Sequence, residues 1–94
     1  MGVANLGPGE IKTGRIYRAK NPRCRLLNIL SSDFYYDDRQ VLHVSRFGEV
    51  QYDSPFIKLG HPYRKTTMEK FVKWAGKDVT DTTPTGEWNK REVK

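Results

Sequence analysis

A single cysteine, Cys24, stands in the whole chain. It has no partner for an internal disulfide, and a free thiol is the ordinary state in a reducing cytosol. Apolar residues are scarce as well, at 36% against the roughly 45–50% of an ordinary globular chain. None of the apolar runs is long enough to span a bilayer. The opening, Met1 to Gly9, carries no basic region and no apolar run, so it does not read as a signal peptide. Leu6 occupies the place where an N-myristoylation pattern needs Ser or Thr. These absences point to the bacterial or host cytoplasm and to no membrane partner.

Catalytic and cofactor motifs are missing too. Zinc needs four ligands, usually Cys and His at paired spacings, and Cys24, His43 and His61 do not supply them. Neither a phosphate loop nor a dinucleotide-binding glycine string occurs. Cys24 with His43 or His61 has no nucleophile elbow around it, and a thiol in an apolar strand is by default inert. Asp37 and Asp38 are adjacent, which in extended chain sends them to opposite faces and marks a solvated turn rather than an acid–base pair. The expectation is a non-enzymatic protein with no catalytic residue, no metal and no cofactor. An RNP1-like aromatic string, the mark of an ordinary RNA-recognition sheet, is also absent.

What the chain does have is charge in blocks and many rings. Its 94 residues form one domain with a net charge of +6, and aromatics make up 12%. Between residues 10 and 30, Lys12, Arg15, Arg18, Lys20, Arg23 and Arg25 face only Glu10. From 31 to 55 the balance turns acidic, with Asp33, Asp37, Asp38, Glu49 and Asp53 against Arg39 and Arg46. From 56 to 80 it is basic again, through Lys58, Arg64, Lys65, Lys70, Lys73 and Lys77. Two basic blocks around an acidic one suit an anionic partner better than an even scatter does.

The pattern of elements is mainly β. Residues 1–9 are turn-prone and read as a flexible lead-in, and residues 10–79 as one β-rich domain. Gly14 to Lys20 reads as a first strand, broken at Asn21-Pro22, with Arg23 to Leu30 as a second. Ser31-Ser32-Asp33 and Asp37-Asp38 are turns around Phe34-Tyr35-Tyr36. Gln40–Arg46 and Glu49–Asp53 flank Phe47-Gly48 and form a hairpin, with Leu42 and Val44 on one face. Phe56 to Leu59 is a candidate short strand before Gly60-His61-Pro62. Thr66-Thr67-Met68-Glu69 fits a capping box with Thr66 at the N-cap. Met68, Phe71, Val72 and Ala75 then follow the helical stripe, and Gly76 stands where a terminating glycine belongs. The helix is expected over about 67–75, and residues 80–94 form a polar flexible tail in which Trp88 is the main anchor.

Two resemblances accompany this reading. Glu69-Lys70-Phe71-Val72-Lys73-Trp74-Ala75-Gly76 resembles the chromodomain string Tyr-Leu-Val-Lys-Trp-Lys-Gly, with Trp88 in the place of that family's later Trp. In that family the string is a strand and the resemblance implies an aromatic cage for methylated lysine. Ala75 and Asn89 depart from its pattern. The order of basic strand, strand, acidic turn, hairpin through Val41–Tyr52 and helix is similar to small phage- and prophage-encoded SH3-like β-barrel proteins of unknown function. That likeness implies a viral or bacterial accessory protein and assigns no site residues.

The expected fold is therefore α+β and mainly β: a small bent antiparallel sheet or SH3-like barrel of four or five strands with one short C-terminal helix. Leu26, Leu30, Leu42, Val44, Val50, Phe56, Phe71 and Val72 are its expected core. The expected function is nucleic-acid binding, DNA or RNA, by phosphate contact. Arg15, Arg18, Lys20, Arg23 and Arg25 would form one face, and Lys65, Lys70, Lys73 and Lys77 another. The rival is a phage-type inhibitor or adaptor of a host enzyme. It would bind that protein through Tyr35, Tyr36, Asp37 and Asp38, since tyrosine is enriched at interface hot spots.

Overall fold

The computed structural model describes residues 6–26, 30, 33–57 and 60–90. Seven strands and one helix follow in chain order: β1 Ile16–Ala19, β2 Cys24–Leu26, β3 Phe34–Tyr36, β4 Arg39–Val44, β5 Glu49–Asp53, β6 Arg64–Thr67, α1 Met68–Trp74 and β7 Ala75–Asp78. Five strands pair antiparallel in the order β6-β5-β4-β1-β7, and β2 pairs with β3 in a separate two-stranded sheet. The fold is α+β, mainly β, as expected. It is not a closed barrel. Strands β6 and β7 are the two edges, and α1 carries the chain from one to the other while packing against β5, β6 and β7.

The β4–β5 hairpin forms where glycine allows it. Ser45 N donates to the Glu49 carbonyl (2.8 Å) and Gly48 N to the Ser45 carbonyl (3.0 Å). Gly48 takes φ of +83°, which a side chain rarely tolerates. The register differs from the simple alternation. Val41 faces Tyr52 and Val44 faces Val50, with one extra residue between them on β4. This bulge puts Val41 and Val44 on the core face together and moves Leu42 off it.

The core is Ile11, Tyr17, Val41, Val50, Tyr52, Phe71 and Ala75, with Leu6, Val44, Met68, Val72 and Trp74 packed against it. Phe71 is fully buried and lies edge-on to Tyr17 and Tyr52, at 5.7 and 6.0 Å between ring centres. Truncating such a ring costs about 3–5 kcal/mol. Of the expected core, Val50 and Phe71 are buried, and Val44 and Val72 are partly so. Leu42 and Phe56 are only half-buried. Leu26 is exposed because β2 belongs to the small sheet and not to the main one, and Leu30, in a turn outside the strands, is exposed as well.

The helix begins one residue later than its sequence signature suggests. Thr66 lies in β6, and Thr67 is the N-cap, its hydroxyl accepting from Lys70 N at 3.2 Å. Met68 N donates to the Gly48 carbonyl, which fastens the helix start to the hairpin turn. Gly76 does not end the helix. It is buried in β7, where a Cβ would meet Lys20 Cα at 2.8 Å, so its small size serves the close pairing of β7 with the end of β1.

The described parts of both ends make contacts with the rest of the fold. Pro8–Glu10 form a 3₁₀ turn, closed by Gly7 N donating to Glu10 Oε1. Val79 is buried, and the stretch expected as a tail is fastened as far as Lys90. Ile16 N donates to Thr80 Oγ1 (2.8 Å), Tyr36 N to the Asn89 carbonyl (3.1 Å), and Lys90 bridges to Tyr35. Phe56 and Ile57 lie in a turn rather than a strand. The expectations for Met1–Asn5, Leu27–Ile29, Ser31, Ser32, Lys58, Leu59 and 91–94 concern residues outside the described ones.

Candidate functional site

The first basic block splits into structural and surface charges. Arg15 Nε donates to Asp78 Oδ2 at 2.8 Å and ties β1 to β7. Burial pushes the Asp78 carboxyl up, but Arg15 and the Thr80 hydroxyl and amide outweigh it and hold it below its ordinary value. Arg18 is deeper, with 12% of its side chain exposed. It grips the fully buried Asp38 with both forks, Nε to Oδ1 at 3.0 Å and Nη2 to Oδ2 at 3.1 Å. Its guanidinium also lies over the Tyr36 ring at 3.7 Å. Hydrogen-bond complementarity turns the Asn89 amide oxygen toward Arg18 Nη2 (3.2 Å) and its nitrogen toward the Thr82 carbonyl (3.0 Å). Burial pushes the Asp38 carboxyl up against the opposing pull of Arg18. A bidentate pair this enclosed is an internal fastening.

This arrangement corrects part of both site expectations. Arg18 is turned inward to Asp38 and cannot also present a free fork to phosphate. Tyr36 and Asp38, assigned to the rival protein-binding surface, are used in the same cluster. Tyr17, one of the rings interleaved with the first basic block, is in the core, its hydroxyl held between the Glu10 carbonyl and Lys12 N. Lys20 and Arg23 are exposed and make no ion pair among the described residues. In the second block Lys65 approaches Glu49 at 3.8 Å and Lys73 approaches Glu69 at 3.4 Å, both exposed pairs. Lys70 and Lys77 are exposed on α1 and β7. Of the nine basic residues, Arg15 and Arg18 are thus paired with Asp78 and Asp38, while the others are exposed.

A different set of cations converges instead. Arg25 from β2, Arg39 from β4 and Arg64 from β6 line one open groove of about 280 Å³, together with Asp37, Ser54 and Phe56. The Arg39 guanidinium is sandwiched among rings, 4.0 Å from the Trp74 centre and 4.4 Å from Tyr52. Arg25 lies over Phe56 at 4.2 Å. Stacking fixes the planes of both forks while leaving their N–H groups to a ligand. No carboxylate lies within ion-pair distance of Arg25, Arg39 or Arg64 among the described residues. Burial pulls the Arg39 guanidinium below its ordinary value, and nearby Arg64 adds to this against Tyr52 and Asp37. Arginine remains protonated all the same, so the groove holds positive charge that the protein itself leaves under-compensated.

Sequence reasoning assigned Arg25 to a binding face, counted Arg64 only within the second basic block, and missed Arg39. Arg39 lies in the acidic segment, where its neighbours hide it. The available signal was its place in a strand next to Asp38, since adjacent strand residues face opposite ways. Comparison with protein-family models, with curated proteins and with solved structures gives no match.

Cys24 lies on β2, while His43 and His61 are exposed, on β4 and after β5. Among the described residues no three His, Cys, Asp or Glu side chains gather closely enough to share a metal ion. No helix among them is long and apolar enough to cross a membrane.

Proposed function

We propose that the protein is a non-enzymatic, cytoplasmic accessory protein that binds nucleic acid by holding backbone phosphates in the arginine groove. The observation that carries this is the convergence of Arg25, Arg39 and Arg64, two of them stacked on rings, with no carboxylate in ion-pair range among the described residues. Planar forks of fixed orientation match phosphate oxygens, and a half-buried guanidinium gains from an anion that replaces lost water. Arg23, Lys20, Lys70 and Lys77, all exposed, would add weaker, solvated long-range attraction.

The rival, a phage-type inhibitor or adaptor of a host protein, keeps Tyr35 as its most available ring, since Tyr36 and Asp38 are engaged with Arg18. Fluorescence-anisotropy titration of labelled duplex DNA, single-stranded DNA and RNA at several salt concentrations separates the two. The expected result is micromolar or tighter binding whose affinity falls as salt rises, with a log–log slope of about −2 to −3 for three phosphate contacts. Binding that ignores salt, or none even at low salt, overturns the reading.

A further inference from the structure

The turn that follows β5 stands between two grooves. On one side is the arginine groove. On the other is a larger one of about 480 Å³, and Ser54 and Ile57 line both, so the two grooves adjoin across this turn. The larger groove brings together three rings from three parts of the chain: Tyr35 of β3, Tyr63 just before β6, and Trp88 of the C-terminal stretch. Tyr35 is held by its pairing with Arg25 and its bridge to Lys90, and the chain next to Trp88 by Tyr36 N on the Asn89 carbonyl. Asp53 and Glu87 also line this groove. Asp53 Oδ1 accepts from Ser54 N (2.8 Å), which leaves Oδ2 without a hydrogen bond among the described residues. Lys90, the one cation of the lining among the described residues, is drawn to Asp33 at 3.3 Å.

We infer that the ligand is single-stranded and that this second groove receives one of its bases, while the adjoining phosphate sits among Arg25, Arg39 and Arg64. The inference rests on the nucleic-acid reading above and names the class of nucleic acid. Rings bind the faces of bases, and only an unpaired base exposes its face. Carboxylates accept hydrogen bonds, so Asp53 and Glu87 suit a base edge that donates from an exocyclic amine, as cytosine does. Thymine and uracil present carbonyl oxygens there, which two carboxylates repel. A cationic groove adjoining a ring-lined one is the arrangement that a single strand needs, with phosphate and base offered to different chemistry.

The experiment is titration with labelled dC12, dT12 and a 12-base-pair duplex at one salt concentration near physiological, read by anisotropy. Three forms are compared: the unaltered protein, Tyr63→Leu, and Asp53→Asn with Glu87→Gln. Tyr63 is half-exposed, so its replacement leaves the fold in place. The expected result is dC12 bound at least about fivefold more tightly than dT12 and than the duplex. Tyr63→Leu should lower dC12 affinity by a similar factor and leave the duplex unchanged, and the carboxylate variant should erase the margin of dC12 over dT12. Equal binding of all three probes, untouched by Tyr63→Leu, overturns the inference while leaving phosphate binding intact. Preferential binding of an oligo-lysine peptide, lost in the carboxylate variant, also overturns it. Failure of every oligonucleotide to bind at low salt removes the nucleic-acid reading and this inference together.

Discussion

Arg18 and Arg39 occupy neighbouring paired strands, and both lay a guanidinium over an aromatic ring. One is in a bidentate pair with a carboxylate, and the other has none within ion-pair distance among the described residues. Asp38 and Arg39 are consecutive, so the strand sends the acid to one side, into Arg18, and the arginine to the other, among Tyr52 and Trp74. The same side chain is thus a fastening on one face of the sheet and an open cation on the other. Charge counted along a sequence treats the two alike. What separates them is whether the fold brings an acid to the fork.

The largest expected effect breaks the fastened side. Asp38→Ala should lose about 3–5 kcal/mol of stability, because it strands the Arg18 charge in a site with little water. Urea unfolding of the purified variant measures this, and a loss below about 1 kcal/mol would mean that Arg18 finds another partner. The open side should respond in binding instead. Arg39→Gln should weaken nucleic-acid affinity by about tenfold and make the salt slope shallower by about one, by anisotropy across salt concentrations.

Acid should sharpen the contrast in a smaller way. The Asp78 carboxyl is held below its ordinary value, so its contribution is present above the unfolded carboxylate range and is lost as pH falls through the lowered value. The Asp38 carboxyl is raised, so its contribution has the opposite sign and declines as pH climbs from the ordinary value to the raised one. Asp78→Asn should therefore flatten the acid side of a stability–pH profile measured by thermal melts between pH 3 and 7. The smallest effect belongs to the exposed helix. Lys73→Ala should change stability by less than about 0.5 kcal/mol, since its pair with Glu69 is fully solvated and weak. Its nucleic-acid affinity should stay within about twofold.

Elements fixed by local chemistry were legible in the sequence. Gly48 marks the hairpin, the Thr-x-x pattern marks the helix start to within one residue, and the Phe71 stripe marks the buried helical face. The rest depended on distant partners. The bulge beside Leu42 breaks the two-residue period and leaves no compositional trace. Strand β6, Arg-Lys-Thr-Thr, has no apolar residue, because an edge strand paired on one side can be held by backbone bonds alone. The C-terminal stretch docks through the Thr80 hydroxyl and the Asn89 carbonyl, on polar residues that composition assigns to solvent. The candidate site was half visible. Arg25 and Tyr35 stood out, but Arg39, Arg64, Tyr63 and Trp88 gain meaning only when three segments meet.

One feature of the topology bears on how the chain is made. Strand β1 lies inside the sheet, between β4 and β7, and Ile16 waits for Thr80, 64 residues later, to satisfy its amide. A ribosome therefore releases β1 long before its second neighbour exists. Until β7 arrives, Tyr17 and Phe71 lack a complete enclosure and β1 offers one bare flank. Assembly should accordingly be a late, concerted event of near-complete chains, slow for so short a protein, and cut-off translation products should be quickly degraded instead of accumulating half-built.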